Sequence, residues 1–412
     1  MHKHYATKMN SSTTNYIDIA VIGAGPHAMT VVTHLLQKRP QLRQRLLVFD
    51  PNGTWMRQWQ NQFAAFEIPH LRSPAVHHPD PNPYALRQFA QSRSRELYPP
   101  YDLPGTLLFQ DFCQELIRRW SLQHHVVAAQ VVRIEPIKQL RSRFRLWLDN
   151  NQSIVARRVI LATGSGTLQI PTWVQKIAAS YPHDRLCHSR HVDLRHLQLH
   201  GETILIVGGG LTSGHLALGA IARGAKVILM SRRNLQEKLF DADPGWLGPK
   251  YLKHFWAEPD WETRAELVQQ ARNGGSLTPA MMLQLRRAQR QGDITLLEKC
   301  QVISATWHNA WQICCDDSSQ HECDRIWLAT GTKVDITAEP LLAEIIERYP
   351  IPIAKGLPVL DKYLRWAGCE LFITGGLAAL QVGPVARNLS GARMASERII
   401  PALWKPSIAF SH

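Results

Sequence analysis

Short apolar runs alternate along this chain with stretches whose apolar positions recur every three to four residues. Ile17 to Ile22 is almost continuously apolar, the pattern of a strand covered on both faces, and Pro26 to Gln37 carries its apolar residues on one helical face. Arg45 to Asp50 is a second strand-like run. Leu107 to Trp120 gathers Phe109, Phe112, Cys113, Leu116, Ile117 and Trp120 on one face of a predicted helix. Val126 to Gly164 then reads strand, strand, strand, with Phe144, Leu146 and Leu148 alternating and a polar turn at Asp149, Asn150 and Asn151. The same order returns in Ile294 to Gly331, with Trp311 and Ile313 alternating before a turn at Asp316, Asp317 and Ser318. Both blocks end in Ala-Thr-Gly, at Thr163-Gly164 and at Thr330-Gly331, so the chain repeats itself once.

Each half also opens with a glycine-rich turn between its first strand and first helix. The first turn has Gly23, Gly25 and Ala28 at GxGxxA spacing, with Pro26 opening the helix. The second has Gly208, Gly210 and Ser213, with Leu211 opening the helix. At such spacing the first glycine makes a tight turn, the second admits a pyrophosphate to the backbone, and the third small residue lets helix and strand pack closely. The phosphates then meet unpaired N–H groups at the positive helix end. Asp50 ends the next strand about 20 residues on, where a carboxylate grips a ribose, although a turn role before Pro51 would explain it too. The matching strand of the second half, Lys226 to Met230, is followed by Arg232 and Arg233 and no acid. Guanidiniums there favour a 2′-phosphate, hence NADP over NAD; the plain alternative is two surface arginines.

Two such units in tandem resemble the flavoproteins in which an FAD domain carries an inserted NAD(P) domain, and among these the flavin-containing monooxygenases and lysine/ornithine N-hydroxylases. Gly53-Thr54-Trp55 resembles the Gly-Thr-Trp that follows the ribose-binding acid in those enzymes. Pro74 to Ala90, with Asp80 to Tyr84, is similar to the Asp-Pro-rich segment of N-hydroxylases, and Leu186 to Ser189 to the His-Ser of the domain junction. The sequence departs from the pattern at Gly375-Gly376, where Gly-Asp is usual, and around Arg72 to Pro74, where no Asn stands. The resemblance implies an α/β fold: an FAD-binding Rossmann-like domain with an inserted NAD(P)-binding Rossmann-like domain, each with a three-stranded meander. It implies FAD and NADPH as cofactors, with Thr54, Trp55, Thr163, Gly164, Thr330, Gly331, Gly375 and Gly383 completing the cofactor-binding set. A helix from Pro384 through Arg398 would point its N-terminus at the flavin pyrimidine ring. Arg72 is the candidate for orienting substrate or nicotinamide, and His188 for the domain-junction contact.

On this reading residues 1–16 are a flexible tail, 17–167 and 332–412 form the FAD-binding domain, and 168–331 the inserted domain. Arg232 to Asp293 exceeds what a plain dinucleotide fold requires. Helices are expected there from near Asp260 and from Thr278-Pro279, a cap with proline in the first turn. The aromatics Phe240, Trp246, Tyr251, Phe255, Trp256 and Trp261 fit either a lid over the flavin or the small core of a helical pair.

Composition bounds the rest. With 412 residues, 45% hydrophobic and 19% charged, the chain is a folded soluble protein of two domains. Seven cysteines without a Cys-x-x-Cys argue against both a disulfide-reductase centre and a secreted disulfide framework. Adjacent Cys314 and Cys315 read as ordinary thiols on opposite strand faces. The polar N-terminus holds no signal peptide, and no apolar stretch is long enough to span a membrane, so a cytoplasmic location is expected. The net charge of +14 lacks the basic motif with interleaved aromatics that nucleic-acid binding needs; two polyanionic cofactors use part of it, and peripheral contact with an acidic membrane surface stays open. His183, His188, His191, His196 and His200 crowd one linker, but spacing alone does not converge ligands, so no metal is expected. His77 and His78 read as solvated loop residues, with a place near the flavin as the alternative. The expected reaction is NADPH-dependent monooxygenation, by a flavin hydroperoxide and molecular oxygen, of a nitrogen or sulfur atom in a small molecule. An NAD(P)H:quinone-type reductase and a non-catalytic flavin-binding redox sensor are the alternatives.

Overall fold

The computed structural model describes residues 16–137, 142–164, 166–178, 180–272 and 274–405; the expected N-terminal tail lies outside them up to residue 15. The first half begins with β1 (Tyr16–Ile22), α1 (Pro26–Lys38), β2 (Leu46–Asp50), α2 (Arg57–Ala65) and α3 (Thr106–Arg119). It continues with β3 (Val126–Ala128), β4 (Val131–Ile137), β5 (Arg143–Leu148) and β6 (Ser153–Leu161). β1 lies between β2 and β6, parallel to both, and β3 extends the sheet beyond β2. β6 serves two partners along one edge. Its N-terminal part pairs antiparallel with β5 of the meander, and its C-terminal part pairs parallel with β15 (Leu371–Ile373), near the end of the chain. That split carries the meander away from the parallel strands and brings the C-terminal segment beside the first glycine turn. Central strands buried on both faces explain why Ile17 to Ile22 reads as a continuous apolar run. α3 buries Phe109, Phe112, Cys113, Leu116 and Ile117, the stripe its 3.6-residue period predicts.

The second half repeats the plan with β7 (Leu186–His188), β8 (Thr203–Val207), α4 (Leu211–Ile221) and β9 (Lys226–Ser231). Three helices follow: α5 (Pro249–Ala257), α6 (Trp261–Arg272) and α7 (Pro279–Arg290). β10 (Ile294–Glu298) returns to the sheet, and β11 (Val302–Trp307), β12 (Trp311–Cys315) and β13 (Gln320–Cys323) form the meander before β14 (Arg325–Leu328). The parallel order is β7-β14-β8-β9-β10. The fold is therefore α/β with two parallel sheets, each bearing a three-stranded meander. In both blocks a further strand precedes the meander, β3 and β10, because each extends the parallel sheet by a short edge that the meander pattern masks.

The two chain crossings pair with each other: Thr332 sits opposite Leu168 and Lys333 opposite Thr167 in an antiparallel ribbon. The insertion makes a second connection. Trp256 Nε1 donates to Gln381 O at 2.9 Å, Arg272 Nη1 donates to Pro384 O at 3.0 Å, and Ala265 and Trp261 pack into the core around the first sheet. The expected cap holds, with Thr278 Oγ1 accepting from Met281 N, and the helix expected from near Asp260 starts there, with Asp260 Oδ2 accepting from Thr263 N. α5 was not legible, being only 9 residues long. The final helix α8 runs Leu389–Leu403; Pro384–Arg387 is a separate 3-10 turn, so the expected helix starts later and extends past Pro401. Among the described residues no helix is long and apolar enough to cross a membrane.

Candidate functional site

The two glycine turns are geometric copies. Gly23 has φ +99°, and a Cβ on it would lie 2.5 Å from Ala162 O; Gly208 has φ +146°, and a Cβ would lie 2.3 Å from Ala329 O. Each turn thus presses against the Ala-Thr-Gly end of its neighbouring strand, which is why the two motifs recur together. Only glycine fits such a backbone at such a distance. The helices that follow leave their first-turn N–H groups without a side-chain cap, at Gly25 for α1 and Gly210 for α4. The space where a Cβ of Gly25 would point is open to 4 Å, and over Gly210 only Gly275 Cα approaches, at 3.9 Å. Uncapped donors under open space are what a pyrophosphate needs, so the residues fit a dinucleotide at each turn. Ser213 completes the second fingerprint, fully buried, its hydroxyl donating to Gly210 O at 2.6 Å.

Asp50 braces the first turn. Oδ2 accepts from Ala24 N at 3.1 Å and Oδ1 from Asn52 N at 2.9 Å, and the half-buried carboxylate keeps lone pairs for a ribose. At the second turn Arg232 and Arg233 are exposed, and the Arg233 guanidinium lies against Gly274. Thr54, Thr163 and Gly164 are exposed at the first site; Thr330 is half-buried at the second, its hydroxyl donating to Gln169 O, and Gly331 is exposed. Gly375, at φ +83°, faces open space.

Position in the fold corrects two of the roles expected from the sequence, those of Trp55 and Gly383. Trp55 is 4% exposed and its indole donates to Leu122 O at 3.0 Å, so it anchors the core beneath the turn and offers no surface to a cofactor. Gly383 is buried against α5, with Leu252 Cδ2 3.1 Å from where its Cβ would be. His188 is buried at the junction, accepting from Arg190 N at 3.1 Å and donating from Nε2 to Gly331 O at 3.2 Å. Both ring nitrogens are engaged, and desolvation holds its pKa below the usual range, so a neutral ring fixes the crossing. His78 is not solvated either: it is 1% exposed, and burial lowers its pKa to about 4.

The two turns open on one cleft of about 800 Å³. Pro26 and His27 of α1 and Leu211 of α4 all line it. Its walls are Trp59 and Phe63 of α2, the loop from Leu71 to His77, Phe240 to Leu247 of the insertion, and Val385 to Ser390. The insertion therefore both packs on the C-terminal segment and roofs the cleft. Arg72 lines the cleft but is already committed. Its Nε donates to Leu239 O at 2.9 Å, Nη2 to Ser276 Oγ at 2.8 Å, and Nη1 to Ser276 O at 3.3 Å. It positions the roof, and offers substrate no free fork.

His27 escapes a reading of the sequence because it occupies a variable position of the fingerprint. Nδ1 accepts from Thr374 Oγ1 at 3.0 Å and Nε2 donates to Arg387 O at 3.2 Å, and burial lowers its pKa to about 4. A neutral imidazole thus ties the first turn to β15 and to the segment before α8. Asp241 and Arg387 escape it too, since nothing local in the sequence marks them. The potential metal ligands that converge among the described residues are not the linker histidines but Cys300, Cys315 and Asp317, within 4.8 Å of one another and away from the cleft.

A family model described as FAD-NAD(P)-binding matches residues 20–166, and one described as L-lysine 6-monooxygenase/L-ornithine 5-monooxygenase matches residues 109–334. No curated protein matches the sequence significantly. Solved structures share the fold over nearly their whole length. An ornithine hydroxylase from Pseudomonas aeruginosa is 17% identical, with 94% of this chain and 98% of that one covered and a TM-score of 0.73. An L-lysine 6-monooxygenase from Pseudomonas syringae is 17% identical, with 94% and 99% covered and a TM-score of 0.73. A cadaverine monooxygenase of desferrioxamine biosynthesis from Erwinia amylovora, bound to FAD, is 15% identical, with 97% and 96% covered and a TM-score of 0.75. The second family model spans more than half of the chain, and the paired turns open on one cleft: the chain belongs to the L-lysine 6-monooxygenase/L-ornithine 5-monooxygenase family and is an FAD- and NAD(P)H-dependent flavoprotein monooxygenase.

Proposed function

We propose that the protein hydroxylates the terminal amine of a small aliphatic molecule, with NADPH as the reductant and molecular oxygen as co-substrate. The observation that carries this reading is that His27, behind the first glycine turn, and Leu211, behind the second, line the same cleft. A flavin nucleotide seated on Gly23 and Gly25 and a nicotinamide nucleotide seated on Gly208 and Gly210 then meet there. When bound, the flavin supplies hydride acceptance and oxygen activation; the protein supplies position and dryness. Residues 17–167 and 332–412 act as the flavin unit, and 168–331 as the nicotinamide unit. Asp50 holds the flavin-side ribose, and Arg232 and Arg233 favour the 2′-phosphate of NADPH. Trp59, Phe63 and Phe240 give the cleft apolar walls that exclude water. Lysine, ornithine and cadaverine, named for the similar structures, define the substrate range to test first.

The reading is tested by loading the purified protein with FAD, reducing it anaerobically with NADPH and readmitting oxygen with each amine. An N-hydroxylated product formed in proportion to NADPH supports it. Flavin reduction followed by peroxide alone, with every amine in the set, would overturn it.

A further inference from the structure

Two cysteines and an aspartate of the second half meet at one point outside the cleft. Cys300 lies in the link from β10 to β11, Cys315 ends β12, and Asp317 follows in the turn to β13. The two sulfurs and a carboxylate oxygen all lie within 4.8 Å of one another. Main-chain bonds hold each segment that carries them. Cys300 N donates to Ser231 O at 3.2 Å, at the end of β9, and Cys315 N donates to Ser319 O at 3.0 Å. Between them, Gln301 N donates to Asp316 Oδ1 at 2.9 Å and Asp316 N donates to Gln301 O at 3.0 Å. Cysteine and aspartate have short side chains, so a fixed backbone fixes where their ligand atoms can go.

The three groups grade from dry to wet. Cys300 and Cys315 are 4% and 1% exposed, in the core shared by the meander and the parallel sheet, whereas Asp317 is exposed. Asp317 Oδ1 accepts from Ser319 N at 2.9 Å and from Ser319 Oγ at 2.6 Å, and that hydroxyl also meets His321 Nε2 at 3.2 Å. Such bonds orient a ligating carboxylate. Two thiolates and one carboxylate suit a borderline-soft, tetrahedral cation; magnesium and calcium want oxygen alone, and copper(I) wants sulfur. Zinc–sulfur bonds of about 2.3 Å at tetrahedral angles set two sulfurs about 3.8 Å apart, inside the observed limit. A disulfide would leave Asp317 without a part, and thiols buried this deeply react slowly with oxidants.

We propose that Cys300, Cys315 and Asp317 form a structural site for a zinc-like divalent cation, with water as the fourth ligand on the solvent side. The site is independent of the monooxygenase reading. Binding sends both thiol protons to solvent and ties the meander to the end of β9, from which Arg232 and Arg233 leave. Sequence spacing hid it, because the cysteines become neighbours only when β11 pairs with β12, which sets Val302 opposite Cys315.

The test titrates zinc into the FAD-loaded, metal-stripped protein by calorimetry, with a phosphine reductant present, and repeats the titration with cobalt(II) while following difference absorbance. One equivalent should bind, and cobalt should give a thiolate-to-metal charge-transfer band. Cys300→Ser and Cys315→Ser should lose that band. Asp317→Asn, an exposed change that spares the core, should keep it and bind zinc roughly 10- to 100-fold more weakly. Cys314→Ser, on the other strand face, should bind as the wild type does. No binding to the wild type overturns the proposal, as does unchanged affinity in Asp317→Asn. Zinc bound with no thiolate band under cobalt assigns it to surface histidines and overturns the proposal too. So does a Cys300–Cys315 disulfide in the protein as isolated, found by peptide mapping.

Discussion

Arg72, in the cleft wall, donates to the buried Ser276 hydroxyl at 2.8 Å, joining residues 204 positions apart in the chain. The same guanidinium bonds the carbonyls of Lys238, Leu239 and Ser276, so one side chain of the first half closes three points of the roof. Arg72→Met leaves these acceptors without their donor, which should cost about 2–4 kcal/mol of stability. It should also loosen the roof, so that NADPH oxidation yields more peroxide per hydroxylated product. Thermal unfolding and a peroxide-to-product ratio check both effects. A variant with wild-type midpoint and coupling would remove Arg72 from this role.

The paired glycines separate the two cofactors by mutation. Gly23→Ala puts a methyl 2.5 Å from Ala162 O, and Gly208→Ala puts one 2.3 Å from Ala329 O. The backbone must move, and both residues also hold a φ that alanine rarely adopts. Gly23→Ala should abolish FAD retention through gel filtration while leaving nicotinamide-nucleotide binding measurable. Gly208→Ala should stay yellow yet reduce at least tenfold more slowly with NADPH, a change of about 1.4 kcal/mol or more. Loss of both cofactors from either variant would contradict independent cradles.

Much of this was legible because it is local. The strand–turn–helix units, the stripe on α3, the cap at Thr278 and the helix start near Asp260 follow from spacing over a few residues. The cleft was less so. Trp55 sits within a cofactor-like tripeptide, yet its ring points into the core because Leu122 offers the buried carbonyl its indole needs. His27, Asp241 and Arg387 converge from positions more than 100 residues apart, where periodicity carries no signal. Arg72 stands out in the sequence, but its partners lie in an insertion whose course the sequence does not specify.

Reductant choice turns on Arg232 and Arg233. Ser231 precedes them, and Arg233 N donates to its hydroxyl at 3.4 Å, so the two arginines leave β9 at the edge of the second turn. Replacing both with serine should raise the KM for NADPH roughly 10- to 100-fold and leave that for NADH within about twofold. Initial-rate flavin reduction with each nucleotide measures this. Parallel losses with NADH and NADPH would mean that the arginines support the fold and do not read the 2′-phosphate.

Acid should destabilise the protein before its carboxylates titrate. Burial lowers the pKa of His27, His34, His78 and His215 from 6.5 to about 4. Above pH 6.5 these rings are neutral both folded and unfolded, and their contribution is fully present. Between pH 6.5 and 4 the unfolded chain binds protons that the folded chain refuses, so stability falls as pH falls, by up to about 3 kcal/mol for each ring. Carboxylates whose pKa values arginines hold down, such as Glu67 and Asp193, act below this window. The thermal midpoint should therefore be flat from pH 7 to 8 and drop between 6.5 and 4.5. His34 is the ring to remove, since it lies in α1, away from the cleft lining, and its Nε2 is buried without a partner. His34→Leu should make the acid limb shallower without lowering the midpoint above pH 7, because a neutral side chain has nothing to protonate. An unchanged limb would show that His34 already titrates near its ordinary value in the folded protein.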